Sequence, residues 1–336
     1  MTYNNNMTKV LIFLILLWCS MPYLYALSDE DAALIAEGNV LGHAELEGVG
    51  LKGYFYDLKQ TKDRQPTGLR GGIENENELL KELHAFFKSD WSRKKLSKYY
   101  RSADAFYVPF IYMPPVSARY APLAFGLGDA LKPESQWECK PSAWLIVYRG
   151  RVIAPRTGKF RFIGTGDDYL GVRFNGKNVL EAGYRIPLMY DEKNSRAYRI
   201  SGGDKKLREQ FLKSRKGYEL VRGIPGCRVW DSELGGLVAG TPFSVKAGAV
   251  YTIEIALSEI PGGKCGFVLF IEDITHGKNS HAGCYDLFRT ADVLPDTKAI
   301  DEMYKQNRCY VSPCTIPFNE NSPVWRIAPP KKPKKP

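Results

Sequence analysis

The period of the apolar positions changes several times along the chain, and each change marks an element. Around Gly50-Leu51-Lys52-Gly53-Tyr54-Phe55-Tyr56-Asp57-Leu58, alternation predicts a first strand. Residues 59–74 carry Pro66, Gly68, Gly71 and Gly72 and predict a loop. Residues 76–88 switch to helical spacing: Leu79, Leu80, Leu83, Phe86 and Phe87 share one face. Asn75 is the expected N-cap, with Glu78 three residues on. Residues 105–135 scatter Pro109, Pro114, Pro115, Pro122 and Pro133 among aromatics. Proline removes ladder donors, so this stretch predicts irregular or edge structure.

From Ser142 the strand period takes over. Ala143 to Tyr148 is strongly apolar, and Arg156-Thr157-Gly158 reads as a turn. Phe160 and Phe162 alternate with Lys159 and Arg161, which predicts a half-exposed strand broken at Gly164-Thr165-Gly166-Asp167-Asp168. Val172 and Phe174 lead to Asn175-Gly176, a hairpin-turn dipeptide, and Val179-Leu180 returns. Residues 185–222 are charged and irregular, with a helix expected near Lys205–Lys213. Strands resume at Thr241–Val245, at Tyr251, Ile253, Ile255 and Leu257, and after Pro261-Gly262-Gly263 at Gly266–Ile271. A last helix is expected over Thr297–Gln306. The fold class expected is mainly β, an antiparallel barrel or sandwich with a helical insertion and an irregular C-terminal extension.

Composition agrees. In 336 residues, Gly 31, Pro 21, Tyr 20 and Phe 16 favour a turn-rich β protein, and the length suits one to two domains. Hydrophobic content of 44% with 25% charged residues excludes a polytopic membrane protein and a wholly disordered chain. Lys9 followed by the apolar run Val10–Trp18, then Ala26 before an acidic stretch, has the layout of a secretory signal peptide cut after Ala26. The run is shorter than the ~20 residues of a membrane span, so no anchor is expected after processing. A secreted, periplasmic or cell-surface protein is expected. Cys139, Cys227, Cys265, Cys284, Cys309 and Cys314 would remain, and in an exported chain they permit three disulfides of undetermined pairing.

The net charge of +10 gathers at Arg93-Lys94-Lys95 with Lys98 and Arg101, at Lys205-Lys206 with Arg208, Lys213, Arg215 and Lys216, and in the Lys/Pro tail. Anionic cell-surface polymers are candidate partners; simple solubility explains the same charges. Nucleic acid is not expected, since no binding motif appears.

Tyr148-Arg149-Gly150, Ala154-Pro155-Arg156-Thr157-Gly158-Lys159-Phe160-Arg161-Phe162, Gly166-Asp167-Asp168 and Val172-Arg173-Phe174-Asn175-Gly176-Lys177 follow one another in an order that resembles the protective-antigen-type domain, the "PA fourteen" family. Gly53-Tyr54-Phe55 fits its opening strand, and the strands at Tyr251–Leu257 and Gly262–Ile271 its closing part. The resemblance spans roughly 50–273. It implies a β domain over 49–275 with insertions near 59–140 and 185–230. The rest would be the signal peptide (1–26), an arm (27–48), a cysteine-containing extension (276–328) and a basic tail (329–336). Many members bind carbohydrate. In those relatives the Asp-Asp peptide is cis and both side chains hold calcium, which binds sugar hydroxyls.

The resemblance therefore implies calcium at Asp167 and Asp168. The alternative for the pair is a loop capped by hydrogen bonds to backbone N–H groups. Trp230, Tyr184 and Tyr190 either stack on sugar rings or belong to the core. His276, His281 and Cys284 could begin a zinc site but lack a fourth ligand. Glu272 and Asp273 adjoin a strand end as an acid–base candidate. No Gly-x-Ser-x-Gly or His-Glu-x-x-His occurs. The function expected is an exported non-catalytic protein binding polysaccharide or glycoprotein glycan with calcium. The alternatives are a structural or assembly component of the cell surface and a glycan hydrolase.

Overall fold

The computed structural model describes Gly42 and residues 46–118, 142–186, 210, 212–221, 236–277, 285–296, 298 and 318–330. In chain order, β1 (Leu51–Thr61) is followed by helices α1 (Glu76–Lys88) and α2 (Arg93–Leu96). Then come β2 (Tyr99–Arg101), β3 (Phe106–Val108), β4 (Tyr112–Ser117), β5 (Trp144–Ile153), β6 (Gly158–Asp167), β7 (Tyr169–Phe174) and β8 (Lys177–Ala182). The remainder is β9 (Glu219–Val221), β10 (Leu237–Ala239), β11 (Phe243–Val245), β12 (Val250–Glu259), β13 (Lys264–Asp273), β14 (Tyr285–Asp286) and β15 (Phe318–Asn319).

The strands form two antiparallel sheets. One runs β2-β1-β5-β12-β7-β8, with β3 also on β1; the other runs β4-β13-β6-β10-β9, with β11 also on β6. The sheets stay open, so of the two expected architectures the sandwich is realised. β14 and β15 make a small parallel pair. Inward residues of both sheets share one core. Trp144 of β5 meets Phe267 of β13, and Phe162 of β6 meets Phe174 of β7. α1 buries its predicted apolar face, and its Phe87 ring lies 4.8 Å from that of Tyr169 on β7.

Three local expectations need correction. Asn75 stands at the N-cap of α1, but the chain enters through the 3-10 turn Ile73–Asn75 and its side chain makes no capping bond. β6 is buried rather than half exposed. A second cluster covers its outer side: Ile163, Val268 and Phe270 lie under Tyr285, Leu287, Phe110 and Tyr112. β6 also runs through its glycines instead of breaking at them. A Cβ at Gly164 would come within 2.6 Å of both Leu170 Cδ2 and Val268 O, so the neighbours' close approach requires glycine inside the strand.

Asn175-Gly176 closes the β7–β8 hairpin with φ of 47° and 77°, as the dipeptide predicts. Pro114 and Pro115 lie in β4, at a sheet edge. β9 and β10, three residues each, escape sequence reading. Residues 210 and 212–214 are helical, at the end of the helix expected over Lys205–Lys213 and one residue past it; the rest of that expected helix lies outside the described residues. The signal segment, most of Thr297–Gln306 and the basic tail lie outside the described residues. Among the described residues no helix is long and apolar enough to cross a membrane.

Candidate functional site

β6 ends on Asp167, and the Asp167–Asp168 peptide bond is cis. Asp168 then hydrogen-bonds in several directions. Its N–H donates to Ser258 O on β12 (2.9 Å), and its carbonyl accepts from the Arg185 N–H (3.0 Å). Its Oδ2 accepts from the Ile260 N–H (2.7 Å). β12 ends on Glu259, whose Oε1 accepts from the Gly262 N–H (2.8 Å) in the following turn. Ligand atoms of Asp167, Asp168 and Glu259 lie within 4.8 Å of one another, and all three residues are buried. Glu259 Oε2 has no hydrogen-bond partner among the described residues.

One cation enters the corner. Arg185 Nη1 donates to Asp168 Oδ1, and Arg185 Nε donates to Glu76 Oε1 at 2.7 Å. Glu76 comes from the first turn of α1, so the helical insertion reaches into the corner. The guanidinium also lies 4.8 Å from the Tyr184 ring. Burial works against its charge, but Asp168 and Glu76 outweigh it and hold the pKa above the ordinary arginine value.

Four carboxyl groups and one guanidinium therefore gather here, and Asp168 and Glu76 bond to the guanidinium. Burial first, and then the neighbouring carboxylates, pushes the Asp167 and Glu259 carboxyls well above the usual range, toward the neutral form. Cys265 on β13 borders this cluster, and burial and the Glu259 carboxyl raise its thiol pKa. It is a free thiol, which overturns a three-disulfide framework using all six cysteines. The other cysteines lie outside the described residues.

The structure thus brings together Asp167, Asp168, Glu259, Arg185 and Glu76. Tyr184 is half buried at the margin, while Trp230 and Tyr190 lie outside the described residues. The backbone-capping role is realised at Asp168 Oδ2. Glu272 and Asp273 form no acid–base pair: Glu272 is buried on Arg161, whereas Asp273 bonds to Arg156 at 2.9 Å. As successive strand residues they face opposite sides. His276 is exposed, and His281 and Cys284 lie outside the described residues.

Two missed residues carried a signal. Glu259 occupies the next position of the inward row Tyr251, Ile253, Ile255, Leu257. Glu76 sits one turn before Leu79 and Leu80 on the apolar helix face. A carboxyl in an apolar row announces a buried partner. Arg185 had no such signal, because its place depends on the β8 exit.

A separate buried carboxyl, Glu181 on β8, pairs with Arg215 Nη2 at 2.8 Å. Burial pushes its pKa from 4.5 to about 7, and the Arg215 charge only partly offsets this. The folded state thus holds the proton more tightly than the unfolded chain. Its contribution is complete below the unfolded value of 4.5 and is lost as pH rises through about 7. Relative to Glu181→Gln, the parent is expected to lose up to about 3 kcal/mol between pH 4.5 and 8. Urea midpoints of both proteins across that range check this, and parallel curves would refute it.

No protein-family model matches the sequence, and no curated protein matches it. Among solved structures, a PA14 sugar-binding domain from an RTX adhesin is 15% identical, with 71% of this chain and 94% of that chain covered and a TM-score of 0.35. The PA14 domain of the MpAFP antifreeze protein is 12% identical, covering 70% and 85%, with a TM-score of 0.32. The A domain of epithelial adhesin 6 from Candida glabrata, solved with Galb1-3GlcNAc, is 13% identical, covering 70% and 81%, with a TM-score of 0.30. At these scores the function has to be read from this chain's own residues.

Proposed function

We propose that this chain is an exported, non-catalytic glycan-binding protein whose binding corner is Asp167, Asp168 and Glu259, with calcium as its ion. The observation that supports this is the meeting of three buried carboxyls, one with an unpartnered oxygen. An all-oxygen, anionic donor set suits a hard cation, and calcium takes six to eight oxygens in irregular geometry. The residues fit on this test: Asp167 and Glu259 would give up protons to the ion, while Arg185 keeps Asp168 oriented. When bound, calcium supplies open coordination positions for vicinal sugar hydroxyls. Tyr184 stands at the margin, where its ring can flank a sugar.

Calorimetry with calcium chloride tests the ion. The parent is expected to bind at millimolar calcium or below, and Asp167→Asn and Glu259→Gln are each expected to bind at least tenfold more weakly, about 1.4 kcal/mol. No heat from the parent at about 5 mM calcium, several-fold above the ~1 mM weak limit of extracellular modules, defeats the metal assignment. A glycan array with and without chelator tests the sugar. Glycan capture that survives chelation separates it from the ion.

One observation favours the alternative, a structural corner in a cell-surface assembly protein: both Asp168 oxygens already have partners. That reading also needs an exposed apolar patch. Among the described residues the exposed large apolar side chains are only Val49, Ile73, Val250 and Val293.

A further inference from the structure

The acidic corner already holds a cation of its own, and the fold fixes where that cation sits. Past β8, the Tyr184 N–H donates to Gly166 O at 3.3 Å and the Arg185 N–H to Asp168 O at 3.0 Å, so the chain is tied on either side of Asp167. Gly183, with φ of 121°, permits this approach: a Cβ there would come within 2.2 Å of Gly166 O and 2.3 Å of Asp168 O. The Arg185 side chain then spans two carboxylates. Its Nη1 donates to Asp168 Oδ1, while Nε and Nη2 donate to Glu76 Oε1 and Oε2 at 2.7 and 3.4 Å. All three residues are at most 5% exposed.

That arrangement bears directly on the ion. Asp168 Oδ2 accepts from the Ile260 N–H and Glu259 Oε1 from the Gly262 N–H, and both of those donors are neutral. Asp168 Oδ1, by contrast, faces a full positive charge. A guanidinium and a divalent ion on the same buried oxygen repel one another, because charges there are little screened. The contact that orients Asp168 in the free corner therefore also opposes the ion. Arg185 has a second place to go. Glu76 already takes two of its nitrogens and lies outside the three-carboxyl group, and the Tyr184 ring is 4.8 Å from the guanidinium. Giving up Asp168 would leave Arg185 buried but still paired, which avoids the heavy cost of an orphaned charge.

We infer that Arg185 is a resident competitor for calcium at Asp168 Oδ1, and that Glu76, its second partner, sets how readily it yields. The inference rests on the calcium reading of this corner and adds its control: α1 tunes ion affinity through Glu76, although Glu76 is not itself a ligand. Opposite signs follow for the two members of one ion pair. Without Arg185 the ion meets no rival, and binding tightens. Without the Glu76 charge the guanidinium depends on Asp168 alone for a carboxylate, and binding weakens. A pair that only held the fold together would shift ion affinity in the same direction from either side.

Calorimetry with calcium chloride on the full chain tests this near neutral pH, with urea midpoints to show that each variant is folded. The double variant R185M/E76Q removes both charges together, so position 76 keeps no unpaired charge. It is expected to bind calcium roughly tenfold or more tightly than the parent. E76Q alone, which keeps Arg185, is expected to bind roughly threefold or more weakly, and it decides the question by itself if the double variant does not fold. With the parent binding, a double variant no tighter than the parent, or an E76Q variant as tight as the parent, overturns the inference and leaves the calcium reading standing. Heat from the double variant with none from the parent upholds the competition but defeats calcium as the parent's ion. No heat from any of the folded proteins defeats both.

Discussion

Arg185→Met is expected to destabilise the protein by about 3–5 kcal/mol, the range for removing one partner of a buried ion pair. The substitution keeps most of the side-chain volume and deletes the only guanidinium that the corner shows among the described residues. Asp168 Oδ1 and Glu76 Oε1 then lose their donor at once, in a place where both residues are at most 4% exposed. Urea denaturation of parent and variant measures the effect. Calcium adds a second readout: an ion that binds the folded corner stabilises it in proportion to its occupancy. Millimolar calcium should therefore restore part of the loss in Arg185→Met and nothing in the double variant with Asp167→Asn. A loss below about 1 kcal/mol would show that water already solvates the pair.

Trp325→Ala is expected to cost about 3–5 kcal/mol, the usual range for emptying a buried tryptophan site. Trp325 is fully buried, with its ring 5.3 Å from Phe160, 6.1 Å from Phe174 and 6.1 Å from Phe288. Those partners come from both sheets and from the segment after β13. The backbone fixes it as well: the Trp325 N–H donates to Arg289 O at 2.8 Å, and the Ile153 N–H donates to Arg326 O at 2.9 Å. Residues 318–330 thus act as a plug across the sandwich end. A midpoint shift equivalent to less than about 1 kcal/mol would mean that the segment docks loosely and the sandwich is complete without it.

Both effects concern residues whose importance depends on distant chain segments. Nothing near Trp325 in sequence distinguishes it from an aromatic in a proline-rich tail. Its burial follows from the fit of a late segment against Phe160 and Phe174. Arg185 likewise follows Gly183-Tyr184 at the start of a charged stretch, and only the placement of α1 gives it Glu76.

Periodicity, turn dipeptides and the Asp-Asp pair are local properties, because the alternation of side chains along a strand and the demands of a tight turn are fixed within a few residues. For that reason the amino-acid order alone determined the long strands, the buried face of α1, the Asn175-Gly176 hairpin and the acidic corner's first two members. Tertiary structure decided the rest: the open sandwich, the burial of β6, the free Cys265, and the joining of Glu259, Arg185 and Glu76 to the Asp pair. Each of these depends on contacts between segments tens to hundreds of residues apart, where burial and charge pairing are set by what packs on top, and the local pattern is the same whatever that partner is.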